Sequence, residues 1–174
     1  MADVERYDSR TILLHWLSAT AIVAMWLTAQ SIDFFPRPER IWPISVHIAL
    51  GLLVAALTVA RIVWKISGAR RLPKAEAGLL GVVAVGVHHL LYLLILSVLM
   101  LGITLELIRG DTVFHLVQLP SIAPGNAALR HTVNDLHGLL ANGLLILAGL
   151  HGAAALWHHV VKKDGVLERM RPAR

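Results

Sequence analysis

The sequence predicts an all-α integral membrane protein, a single bundle of four helices, and three observations predict it. Hydrophobic residues fill 56% of the 174 positions and mean hydropathy is +0.66, a composition that leaves no room for a second soluble domain. Four stretches lack any Asp, Glu, Lys or Arg and each reaches the length of about 20 residues that a membrane helix needs. Histidines recur inside those stretches, where an ionisable side chain is costly unless it faces a partner or a cofactor.

The first span covers about 11–32. It follows Arg6 and Arg10 and so resembles a signal peptide, but its length and its His15-Trp16 pair argue for a retained anchor. SIDFFPRPER, with two prolines and mixed charge, is a loop, and the second span runs over about 41–64 with His47 near its start. KISGARRLPKAEA is a short basic connection. The third span, about 78–105, contains His88 and His89. The connection from Glu106 to Asp135 is longer than compact folds usually leave unstructured, so short helices are expected in it, and Gly125-Asn126 reads as a break followed by a helix N-cap near Ala127. The fourth span, about 134–161, belongs to a stretch that carries four of the ten histidines. These segments make one domain over 1–174, with no internal repeat and no low-complexity tract.

Charge sets an expected orientation. Arg6, Arg10, Arg61, Lys65, Arg70, Arg71, Lys74, Lys162, Lys163, Arg169, Arg171 and Arg174 fall on one side, and only Arg37, Arg40, Arg109 and Arg130 on the other. Positive residues stay inside, which places both termini on the cytoplasmic side of the membrane. The formal charge of +5 therefore reads as membrane flanks and not as a nucleic-acid surface. With no cysteine, disulfides, iron–sulfur clusters, thiolate zinc sites and covalent haem attachment are excluded, and any metal must use His, Met or carboxylates.

The histidines then sort by depth. His137 and His151 are 14 residues apart, which places them within about 40° on one helix face and roughly 21 Å apart in rise. His15 enters from the cytoplasmic side at the depth of His151, and His47 enters from the outer side at the depth of His137. Two depth-matched pairs on different helices are the pattern that two haem b groups ask for, each flat macrocycle taking two axial imidazoles inside a four-helix bundle. A porphyrin lying against a helix needs a small residue one turn from the ligand. Ala19, Gly51, Ala141 and Ala155 supply it at i+4, although Ala and Gly fill only 35 of the 174 positions. His88 and His89, followed by Tyr92 and Leu93, fail that test and are assigned to packing or to a hydrogen bond near the cofactor. His115 and His131 read as solvated, and Trp16, Trp42, Trp64 and Trp157 as an interfacial belt. The glycines Gly102, Gly138, Gly143, Gly149 and Gly152 read as packing positions, since no phosphate-loop pattern is present.

Three segments carry a family resemblance: RTILLHWL in the first helix, HIALGLLVAALTVARIVWK in the second and HGLLANGLLILAGLHGAAALWHHVVKKDGVLERMRP at the end. Over nearly its whole length the chain resembles the bacterial cytochrome b-561 family. FFPR after the first helix and Arg109-Gly110 in the third loop are similar to its superoxide-oxidising members. The resemblance implies His15 with His151 on a cytoplasmic-side haem and His47 with His137 on an outer haem, in agreement with the depth argument. It also implies ubiquinone as electron acceptor and superoxide as donor, without a protein partner.

The expected activity is thus transmembrane electron transfer, with superoxide oxidised outside and ubiquinone reduced in the membrane. His158 continues the His151 face toward the cytoplasm and is the expected proton donor at the quinone, while Arg61 is placed at the quinone headgroup or a haem propionate. A cytochrome b subunit passing electrons between quinone and a partner dehydrogenase is the alternative. A His-lined metal-ion transporter fits less well, because the spans lack intramembrane carboxylates.

Overall fold

The computed structural model describes residues 5–73 and 75–172, so Lys74 and Arg174 of the basic set lie outside the described residues. Four helices dominate: α1 (Ser9–Ser31), α2 (Ile41–Ser67), α3 (Gly78–Arg109) and α4 (Ala127–Trp157), each long and apolar enough to cross a membrane. Every helix reaches past its uncharged run into polar sequence. Arg61 and Lys65 ride the last turns of α2, where long basic side chains lay their stems on apolar surface and carry the charge outward.

Local chemistry fixes the helix ends. The Asp8 carboxylate caps α1, accepting from the Thr11 N–H at 2.9 Å and the Thr11 hydroxyl at 2.7 Å. Two prolines break the chain between α1 and α2 into the short 3-10 turns Ile32–Phe34 and Arg37–Arg40. Gly110 ends α3 in the left-handed conformation, at φ 65°, that a residue with a Cβ resists. Asn126 caps α4 through the Leu129 N–H, as the Gly125-Asn126 signal predicts.

The long connection departs from expectation. In place of short helices, a two-stranded hairpin, β1 (Thr112–Val113) with β2 (Val117–Gln118), joins α3 to α4. Helix content there comes instead from the extension of α3 to Arg109 and the early start of α4, which shortens the free segment. The hairpin turn puts Phe114 and His115 at φ 51° and 58°, and no Gly or Asn marks it in the sequence. Contacts over-determine that turn: the Phe114 N–H donates to the buried Ser45 hydroxyl at 2.8 Å, and the Phe114 and His115 rings lie against Trp42.

Helix α1 packs along α2, and α3 along α4, as two antiparallel pairs that touch each other far less. Ala21, Met25, Val54, Ile95 and Leu144 form the core where the pairs meet, and Leu105, Ile108 and Val133 form a second cluster near the hairpin. Most other apolar side chains face outward, as lipid-facing residues do. Both termini share one end of the bundle: the Tyr7 N–H donates to Arg169 O at 3.0 Å, the Trp16 indole to Met170 O at 2.8 Å, and the Arg169 guanidinium to Pro73 O at 2.7 Å. Trp16 is therefore a tether as well as an interfacial residue.

Candidate functional site

The space between the helix pairs is bridged by imidazoles. His15 on α1 and His151 on α4 have ring centres 6.4 Å apart at an interplanar angle of 70°. His47 on α2 and His137 on α4 are 6.1 Å apart at 76°. These are the two pairs expected from depth. A metal–imidazole bond of about 2 Å, with roughly 1.2 Å from nitrogen to ring centre, would set two imidazoles that share one metal up to about 6.3 Å apart. Both ring pairs match that spacing.

The outer pair is also held in the right tautomer. His47 donates from Nδ1 to Met25 O at 2.9 Å, and His137 from Nδ1 to Val98 O at 3.1 Å. A carbonyl can only accept, so each Nδ1 carries the proton and each Nε2 keeps its lone pair for a metal. Gly102 makes room for this arrangement: a Cβ there would meet His137 Cε1 at 3.1 Å. Near His47, His137 and His151 in the chain, a Cβ at Gly138, Gly149 or Gly152 would meet nothing within 4 Å, and one at Gly51 only Met25 Sδ at 3.8 Å. Ring spacing at both pairs, and the tautomer at the outer pair, fit haem b.

The inner pair has a third neighbour. His88 on α3 lies 5.0 Å from the His151 ring, nearer than His15 does, and donates its own Nδ1 proton to Ala84 O at 2.6 Å. His89 turns away and bonds Val85 O. The small-residue test sets His88 aside as a ligand, and its depth, about ten residues into α3, is the signal that places it beside the pair. Tyr92, the bulky residue in that test, lies under two cations, with the Arg61 guanidinium 5.2 Å and the Lys65 ammonium 5.3 Å from its ring centre. Arg61 thus faces the inner histidines and not the outer ones.

At the hairpin end the structure adds Arg109. Its Nη2 donates to Asn134 Oδ1 at 3.2 Å, while Nη1 lies 3.8 Å from Glu106 Oε1 and 3.9 Å from Asp111 Oδ2. Glu106 Oε2 is buried without a hydrogen-bond partner. From sequence alone no arginine could be assigned to the outer pair, because the loop hides that α3 continues through Arg109.

His158 opens a π-helical turn, His158–Lys162, at the end of α4. Its Nδ1 lies 2.6 Å from Asp164 Oδ2 and its Nε2 3.8 Å from Glu76 Oε1, and Lys162 bonds the same Glu76. Burial pushes the Asp164 carboxyl up, but hydrogen bonds from His158 and the Val166 N–H, together with the nearby charges, hold it below its usual value. Glu76, His158 and Asp164 place ligand atoms within 4.8 Å of one another, yet the Lys162 ammonium occupies the cation's position between the two carboxylates. The neighbouring His159 is tied to Glu168 at 2.7 Å.

Fold and site together describe a protein with four helices able to span a membrane and with two pairs of histidine rings brought together from different helices. A family model for prokaryotic cytochrome b561 matches residues 6–173, and the chain belongs to that family. It is therefore a haem b protein of membrane electron transfer. Among its relatives, a probable superoxide oxidase CybB of Yersinia pestis is 31% identical over 98% of both chains. Cytochrome b561 homolog 1 of Escherichia coli is 26% identical over 98% of this chain and 99% of its own. Cytochrome b562 of Cereibacter sphaeroides is 29% identical over 97% and 96%.

Proposed function

We propose that this protein carries electrons across the bacterial inner membrane between two haem b groups, one on His15 and His151 and one on His47 and His137. Superoxide is the electron donor at the outer face and ubiquinone the acceptor near the cytoplasmic face. Two imidazole pairs at separate depths, each at the spacing of a bis-imidazole site, are the observation that carries this reading. With both termini cytoplasmic, the hairpin and Arg109 face outward.

Bound haem b supplies a one-electron iron couple in a low-dielectric setting. The protein's residues do the rest. His47 and His137 are oriented by main-chain carbonyls, so the outer site needs little rearrangement on loading. Arg109 offers the only guanidinium beside the outer pair among the described residues, held in place by Asn134. The balance is two superoxide anions giving two dioxygen molecules and two electrons, with ubiquinone taking those electrons and two protons to form ubiquinol. In this reading His158, hydrogen-bonded to Asp164, is the proton donor to the quinone, and Arg61, stacked over Tyr92, supports the headgroup.

One observation favours a second reading, a cytochrome subunit that exchanges electrons between quinone and a partner dehydrogenase. Glu106 and Asp111 both lie within 4 Å of Arg109, which weakens its pull on an anion. Haem quantitation with stopped-flow reduction separates the readings. The leading one expects two extractable haems per chain, one after His47→Ala or His137→Ala, and rapid reduction of the purified chain by superoxide. A single haem in the wild type sinks the paired-site reading, and two haems inert to superoxide but reduced by quinol favour the partner subunit.

A further inference from the structure

A groove of about 350 Å³ opens on the outside of the bundle between α1 and α2, at the end that holds both termini. Leu13, Leu14, Ala60 and Val63 line it, with Arg10 and Trp64 at its mouth. From Arg10 to Leu14, and from Ala60 to Trp64, each wall is about one helical turn deep, roughly 6 Å of rise. The floor is therefore short and apolar and points along the helices into the hydrocarbon layer.

The mouth is cationic and rigid. The Trp64 indole is fixed as a wall by its N–H, which donates to Asp8 Oδ1 at 2.9 Å. Arg10 stacks its guanidinium 4.8 Å from the centre of that ring. Among the described residues Arg10 has no carboxylate partner, and the nearby Asp8 is already bonded to Thr11, Trp64 and the Arg70 N–H. An exposed guanidinium with an open donor fork, set over an apolar cleft one turn deep, matches a phosphodiester joined to an acyl chain. We infer that this groove binds one anionic phospholipid of the cytoplasmic leaflet, its phosphate on Arg10 and the first methylenes of one chain between Leu13, Leu14, Ala60 and Val63.

Charge complementarity selects the lipid. Around the groove's mouth Arg6, Arg10, Arg70 and Arg71 stand against Glu5 and Asp8, with Arg70 paired to Glu5 at 3.3 Å, and the remaining positive excess is a field that a net-negative headgroup satisfies and a zwitterionic one does not. The inference rests on the proposed orientation only for the leaflet. The groove lies on the lipid-facing side of α1 and α2 and shares none of the four bridging histidines.

Native mass spectrometry of the haem-loaded full chain, released from nanodiscs of phosphatidylglycerol or of phosphatidylcholine, tests it. Wild type retains one phosphatidylglycerol at least tenfold more than phosphatidylcholine. Arg10→Gln removes the preference, and Ala60→Phe, which fills the floor and leaves Arg10 intact, removes retention of either lipid. Haem content stays at the wild-type value in both variants, which separates failure here from failure of the haem-site reading. Equal retention of the two lipids by wild type, undiminished retention in Ala60→Phe, or a co-purifying isoprenoid quinone in the groove's place would each overturn the assignment.

Discussion

Replacing Gly102 by alanine tests the outer site without touching a ligand. The added Cβ meets His137 Cε1 at 3.1 Å and Nδ1 at 3.6 Å, where ordinary carbon contacts lie at about 3.5–4.0 Å. The ring must retreat from α3 by roughly 0.5 Å. Val98, whose carbonyl accepts the His137 Nδ1 proton at 3.1 Å, is on the same helix one turn away, so the retreat stretches that bond to about 3.6 Å and breaks it. Overpacking costs about 1–3 kcal/mol, and loss of such an orienting bond weakens metal affinity by roughly 10- to 100-fold. Gly102→Ala should therefore shed the outer haem at least tenfold faster on detergent dilution, measured as haem per protein, while the inner haem stays. Helix weakening cannot produce this result, because alanine favours a helix over glycine by about 1 kcal/mol. Gly86→Ala is the control: it is on the same helix, and its Cβ meets nothing within 4 Å. Full outer-haem retention in Gly102→Ala would show that the His137 ring is not held as described.

Two further predictions concern the end of the bundle that holds Tyr7 and Arg169. His158→Ala should keep both haems and their reduction by superoxide but slow re-oxidation by added quinone about a hundredfold where proton transfer limits the rate; His159→Ala, which breaks the bond to Glu168, should instead lower thermal stability and leave quinone kinetics alone. Asp8 is pushed up by burial, yet hydrogen bonds from Thr11, the Arg70 N–H and Trp64 outweigh this and lower its pKa from 3.8 to about 2, so its stabilising contribution is complete above pH 3.8 and is lost as pH falls through about 2. Asp8→Asn should flatten that acid limb of the unfolding curve, and Asp8→Ala should cost about 1 kcal/mol through loss of the cap.

The helices and the two histidine pairs were legible in sequence because each rests on a one-dimensional quantity. An uncharged run gives a span, and position along a span gives depth. What lay hidden depends on rotation and on packing between helices. His88 shares the depth of the inner pair, but only the setting of α3 brings it within 5.0 Å of His151. Arg109 sits at the outer pair because α3 continues past its apolar run, and the hairpin forms through contacts of Phe114 and His115 with α2 that no turn residue announces. The carbonyls of Met25 and Val98, which orient the His47 and His137 rings, belong to residues whose side chains give no sign of the role.

The two ring pairs differ in what surrounds them, and that difference orders their potentials. At the outer pair both Nδ1 protons are shared with carbonyls, which would make each Nε2 a stronger donor to a bound haem iron and favour its oxidised state. Among the described residues neither His15 nor His151 has such a bond, and both face Arg61, which makes no salt bridge among those residues and whose charge favours the reduced metal. Arg109 gives the outer pair no equal gain, because Glu106 and Asp111 stand within 4 Å of it. The outer haem should therefore titrate at the lower potential. In a redox titration of the full chain, His47→Ala should lose the lower-potential component, and Arg61→Gln should move only the higher one downward, by about 59 mV for each tenfold change in its one-electron equilibrium. With potential rising inward, electrons run from an outer donor to quinone at the cytoplasmic side. If His47→Ala removes the higher-potential component instead, flow toward the outside is favoured, and the partner-linked cytochrome becomes the better account of the same six helix-borne groups: His15, His47, His137, His151, Arg61 and Arg109.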